Sequence, residues 1–116
     1  MAKKTMTPVK AEFNKITGVT MEAATTAADG LEFKLKSPDE LLVVLVQNTS
    51  ASAAGTITVK KPTTGSYAAA SSDLVSESIA AGGLAVIRIE SAKYANNDGT
   101  VLLVPSATDV KAVVVM

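Results

Sequence analysis

Leu31, Phe33 and Leu35 alternate strictly with Glu32, Lys34 and Lys36. That period of two predicts a strand with one face in a core and the other in water. Leu41 to Val46 follows as an unbroken apolar run leading into Gln47 and Asn48. Ser37-Pro38-Asp39-Glu40 before it has the form of a helix start, with a Ser cap, Pro in the first turn and a closing Glu. A helix there would be short, apolar on every side and rich in β-branched valine. A central strand buried on both faces accounts for the run better, with 37–40 as the turn that precedes it.

Alternation resumes in Gly55 to Lys61, with Ile57 and Val59 facing inward, and Pro62 ends it. Leu74 to Ile79 reads as a short strand whose register is open, because Glu77 shares a face with Val75 and Ile79. Ala80-Ala81-Gly82-Gly83 is a tight turn into the strand Leu84 to Glu90. Ser91 to Ala95 suits a single helical turn or a corner, and Asn96-Asn97-Asp98-Gly99 carries a hairpin signal. Val101 to Val104 and Val110 to Val115 are the last strands. A mixed pattern over Phe13 to Met21 adds an earlier one, and Glu22 to Gly30 reads as an Ala/Thr-rich stretch closed by an Asp-Gly turn.

About eight short strands with turn chemistry between them predict an all-β chain, a single small antiparallel sandwich of Ig-like or jelly-roll-like type. The sandwich domain is expected over 13–116. Residues 1–12 form a flexible basic N-terminal arm, or an arm that ends in an edge strand.

Composition modifies this picture at the core. The chain has 116 residues, with 19 alanines, 14 valines and 13 threonines but two Phe, two Tyr and no Trp. Valine and threonine suit a pleated, half-buried surface. The alanine excess suggests a thin core between closely spaced layers. Eleven basic and eleven acidic residues cancel, which argues against a nucleic-acid partner and against charge-driven membrane binding. The apolar run from Leu41 to Val46 is far short of the roughly 20 residues of a membrane-spanning helix. The basic N-terminus lacks an apolar segment after it and does not read as a secretory signal.

Candidate chemistry is thin. With neither His nor Cys, nucleophile–His systems and the usual zinc and haem ligands are excluded, and no cofactor is expected. The adjacent acids Asp39 and Glu40 fall in a turn, where carboxylates are ordinarily solvated. Asn96 to Gly99 lacks the spacing of a calcium loop, although a weak calcium site built from several loops stays open. Gly82-Gly83 precedes a strand and lacks a phosphate-loop spacing. Tyr67 and Tyr94 are too few for a sugar-stacking platform, and Tyr94 suits a corner position with its ring packed. The remaining feature is the arm, where Lys3, Lys4, Lys10 and Lys15 face one acid, Glu12. It reads either as a solubilising tail or as a segment that orders on an acidic partner surface. Lys3, Lys4, Thr7, Pro8 and Lys10 are the candidate partner-binding residues.

Several segments resemble small bacteriophage capsid decoration, or head-stabilising, proteins. They are Leu41 to Ser50, Thr56 to Lys60, the Ser78 to Gly83 turn into Ala85 to Ser91, the Lys93-Tyr94 corner, Val110 to Val115, and the starts Met1-Ala2-Lys3 and Thr7-Pro8. These are sandwich turns and strands spread over most of the chain. The resemblance implies a structural virion protein made in the host cytoplasm that adds to the capsid exterior. There it would clamp many copies of the major capsid protein, alone or as a self-associated trimer. Other readings are a head–tail connector, a tail or fibre subunit, or an Ig-like bacterial surface or adhesion module. The apolar C-terminal run Ala112 to Met116 is expected either as a buried strand or as a contact between subunits.

Overall fold

The computed structural model describes residues 4–9, 14–16, 18–34, 41–63 and 72–115. Within them the chain is all-β, with strands β1 (Lys4–Thr5), β2 (Leu31–Lys34), β3 (Leu41–Asn48), β4 (Ile57–Val59), β5 (Leu74–Val75), β6 (Leu84–Glu90), β7 (Thr100–Pro105) and β8 (Val110–Val115), and one helical turn, α1 (Ser91–Tyr94). A five-stranded sheet runs β1-β2-β7-β4-β5 and a three-stranded sheet runs β6-β3-β8. All pairings between these strands are antiparallel except β1 with β2.

The inner faces follow the period of two. Leu31 and Phe33 of β2, Ile57 and Val59 of β4, and Val101 and Leu103 of β7 have no exposure. They meet Val44 and Val46 of β3 and Val110, Ala112 and Val114 of β8. The apolar run at β3 is thus a central strand, paired along its length with β6 and with β8. The core is built of valine, isoleucine and leucine around one ring, Phe33, whose burial is the largest single hydrophobic contribution. The alanine excess does not make this core thin. Only Ala24 and Ala112 are buried among the described alanines, whereas Ala51, Ala53, Ala54, Ala80 and Ala81 lie exposed in loops.

Three further expectations change. The described residues between Asn14 and Met21 form no strand: Asn14 sits at φ 59° in a turn and Ile16 is fully exposed. Apolar side chains there are spaced without a consistent period, so no register can bury them. Next, the 74–79 strand shrinks to Leu74–Val75, with Ile79 making an isolated bridge to Gly55. The ladder is interrupted at Ser76, whose hydroxyl accepts the Ile57 amide bond (2.9 Å) in place of a backbone carbonyl. Finally, the Asn96 to Gly99 turn closes as its residues suggest, Gly99 donating to the Asn96 carbonyl at φ 87°. It does not join hairpin partners, because it connects β6 of one sheet, through α1, to β7 of the other. Tyr94 packs its ring against the core at that corner, as the sequence suggests. Ser37 to Glu40 and Tyr67 lie outside the described residues.

The crossing between sheets beyond β3 is fixed by Asn48, which is 1% exposed. Its side-chain nitrogen donates to the carbonyls of Ala53 (2.8 Å) and Ile79 (3.0 Å), and its side-chain oxygen accepts from the Ser50 amide (3.1 Å). Its backbone pairs with Gly83 and Gly82. One buried amide therefore ties the end of β3 to the following loop and to the turn before β6. Replacing it removes all three of these side-chain bonds, including the buried one to the Ile79 carbonyl. Asn48→Ala is expected to lower unfolding free energy by about 2–3 kcal/mol, read as a fall in the urea midpoint at unchanged slope. Gly30→Ala is a second test. Gly30 lies at φ 77°, and an added Cβ would stand 2.6 Å from the Leu103 carbonyl oxygen, which is backbone of the central strand β7. The expected loss is about 2 kcal/mol or more, from strain and clash together, measured by the same melt.

Candidate functional site

The two sides of the sandwich differ. Along one side the N-terminal segment runs from sheet to sheet. Lys4 donates to Gly30 and Met6 to Glu32 beside β2, and then Val9 donates to Val114 beside β8. Pro8, which has no amide to donate, sits where the segment leaves one sheet for the other. Met6 is 2% exposed and joins the core. Glu22 exchanges both backbone bonds with Ala112, adding a second seam along β8. The described part of the arm thus takes the second form expected for it, an edge strand.

Of the candidate partner-binding residues, Lys4 and Thr7 are exposed and Pro8 is half-buried on this strap. Lys3 and Lys10 lie outside the described residues. Because the strap alternates, locking Met6 inward leaves its neighbours Thr5 and Thr7 outward. Ala112, Val113 and Val114 are buried, so the C-terminal run is the buried strand of its two expected forms, and Met116 lies outside the described residues.

Among the described residues the opposite side is open. Here β5 and β6 are the outer strands of their sheets, and between them lies a cleft of about 640 Å³ lined by Leu74, Val75, Ile79, Leu84, Val86 and Arg88, among others. Leu84 is 73% exposed, Val86 63% and Val75 59%. Ala85 and Ile87 point inward from β6 yet remain half-buried, since no described strand flanks them on that side. Sequence reading placed β6 correctly but gave it no role. The signal was present: Leu84-Ala85-Val86-Ile87 is apolar at every position, although an edge strand needs only alternate ones.

Electrostatics holds the β5 edge in place. Asp73, just before β5, accepts from the Lys61 amide (2.8 Å) and pairs with the Lys60 ammonium (2.9 Å) just beyond β4. The Lys61 amide bond, then the Lys60 side-chain bond, pull its pKa below the ordinary 3.8. Asp98 is lowered likewise, by bonds from the Thr100 hydroxyl and amide and by nearby Lys34. Its oxygen thereby serves the turn into β7. Among the described residues no three acidic, His or Cys side chains gather closely enough to hold a metal, and no helix is long and apolar enough to cross a membrane.

No family model, curated protein or solved structure matches the chain.

The lowered pKa of Asp73 has a sign that can be tested. A depressed folded pKa contributes stability above the unfolded value, and that contribution is lost as pH falls through the folded one. Protection of the Ser76 amide, which bonds to Ile57 across β4 and β5, should therefore decline as the pH drops below about 4. In Asp73→Asn that decline should be absent. Hydrogen exchange followed by NMR reads both.

Proposed function

We propose that this chain is a structural protein of a bacteriophage virion, a decoration protein that binds the capsid exterior and stabilises it without catalysis. The observation that carries this reading is the N-terminal strap. It holds Thr5 and Thr7 outward on a strand whose shared neighbour, Met6, is locked in the core, and it leaves Lys4 exposed at its start. A contact segment fixed in this way loses little conformational freedom on binding, so more of its interaction energy appears as affinity. Lysine on it favours an acidic partner surface, and the outer edge of β1, unpaired among the described residues, can accept a further strand. The resemblance of the Thr7-Pro8 start and of the sandwich turns to head-stabilising proteins supplies the partner class, the major capsid protein in many copies. The balanced charge fits a protein surface better than nucleic acid.

Stabilisation follows from geometry under this reading. A stiff sandwich bound across two neighbouring capsid subunits resists their separation, because any spreading of the shell must break contacts on both. Neither a cofactor nor a moving part is required.

Sedimentation with tail-less, expanded empty heads tests the proposal. The protein should pellet with the heads in a saturable ratio and raise their disruption temperature. Lys4→Glu should weaken binding about tenfold, as loss and reversal of one interfacial charge does, and added salt should weaken the unaltered protein. A folded chain that stays in the supernatant at every head concentration overturns the reading.

A further inference from the structure

We propose that the open side of the sandwich is a twofold self-association surface, in which β6 pairs antiparallel with β6 of a second copy. This goes beyond shell binding and does not depend on it, since the strap and β6 lie on opposite sides of the molecule.

The backbone sets the pairing first. Asn48 donates to Gly83, and hydrogen-bonded positions alternate along an antiparallel pair. The Gly83 carbonyl, and the amides and carbonyls of Ala85 and Ile87, therefore turn toward β3. Leu84, Val86 and Arg88 turn theirs toward the free edge. Among the described residues nothing pairs with that edge, and a row of unpaired backbone groups on an apolar strand is a template for another strand. The usual protections are missing from Leu84 to Ile87, which contains no lysine, no proline and no inward-pointing charge.

The side chains then select a second copy and its register. With the twofold axis at Val86, Val86 opposes its own counterpart and Leu84 opposes Arg88 of the other copy. The exposed leucines and valines of both copies become one apolar strip, with the arginine stems laid over its ends. No like charges stand directly opposite. Shifting the axis to Arg88 would set two guanidinium groups face to face, which is unfavourable. The same twofold draws the two β5 edges together, so that Leu74 and Val75 approach their counterparts while Leu84 and Val86 pack side by side across the new strand pair. An isolated extended peptide lying along β6 would leave part of that set in water.

Size agrees with the choice. These four side chains together expose on the order of a few hundred Å² of carbon, where an apolar patch usually marks an interface. Doubled by symmetry and extended by the cleft walls, that approaches the roughly 1,200 Å² at which specific interfaces begin. A net charge of zero removes long-range repulsion between copies.

Sedimentation equilibrium of the full chain over a micromolar concentration series tests this. A monomer–dimer equilibrium is expected. Val86→Lys places two ammonium groups across the axis and should weaken the dimer by at least about 100-fold. Ile16→Lys, at a fully exposed position away from the cleft, should leave it unchanged. Urea melts of both variants show that they fold. Val86→Cys, in a chain without other cysteines, should form a covalent dimer with a short bis-maleimide. A chain that remains monomeric throughout, one that forms trimers, or a Val86→Lys variant that dimerises as well as the unaltered protein would falsify the proposal.

Discussion

Everything in this fold hangs on β3 having a neighbour on each side. Seven positions of β3 pair with β6 and six with β8, so most of its backbone is satisfied within the sheet. An apolar run of that length needs this arrangement, because buried amides and carbonyls without partners would cost more than the burial of valine returns. Once β3 is central, its last residue must turn out of the sheet while still buried. Asn48 resolves the conflict by supplying two donors and an acceptor where the ladder ends. Its bond to the Ile79 carbonyl places the turn before β6 and so positions the wall of the open cleft.

The same constraint explains why the two sides of the molecule differ. On the β8 side, Val9 and Glu22 supply backbone partners that continue the three-stranded sheet. On the β6 side, the chain leaves the five-stranded sheet after the Ile79–Gly55 bridge, four residues past the end of β5, and crosses to β6 through the turn Ala80 to Gly83. So short a crossing brings β5 and β6 together at one end and leaves them apart along their length. Sealing and opening are thus consequences of connection length more than of local residue preference. The sealed side orders a basic segment, and the open side leaves leucine and valine in water.

Much of this was legible in the sequence, for reasons that differ by element. The alternation of Leu31 and Phe33 with Glu32 and Lys34, or of Ile57 and Val59 with their neighbours, is a local pattern set by one wet face. β3 was legible because a valine-rich run has one economical home. The β1 pairing was less so: Lys4-Thr5 has no apolar alternation, and it joins β2 because Met6 beyond it finds the core. A single methionine carries no period. Asn14 to Met21 misled in the opposite direction, since Ile16 and Val19 look like strand residues but meet no sheet. The Asn96 to Gly99 signal was right about the backbone and wrong about the partners, because turn chemistry fixes a reversal and not which sheet receives the next strand. The alanines misled for a similar reason, as composition does not say where a small residue sits.

The candidate surfaces follow the same logic of what a pattern can hold. The lysines of the strap announced themselves as a charge cluster, whereas the outward orientation of Thr5 and Thr7 came only from the burial of Met6 between them. The β6 face showed itself as a defect, apolar residues where a solvated edge would carry polar ones. Selection for stability alone offers no reason to keep Leu84 and Val86, since an exposed apolar edge promotes association and gains nothing for the isolated fold. Their presence beside Leu74 and Val75 is therefore best understood as part of a contact. A wet edge carrying Lys4 and an apolar edge on opposite sides of one stiff sandwich can be occupied together without competing.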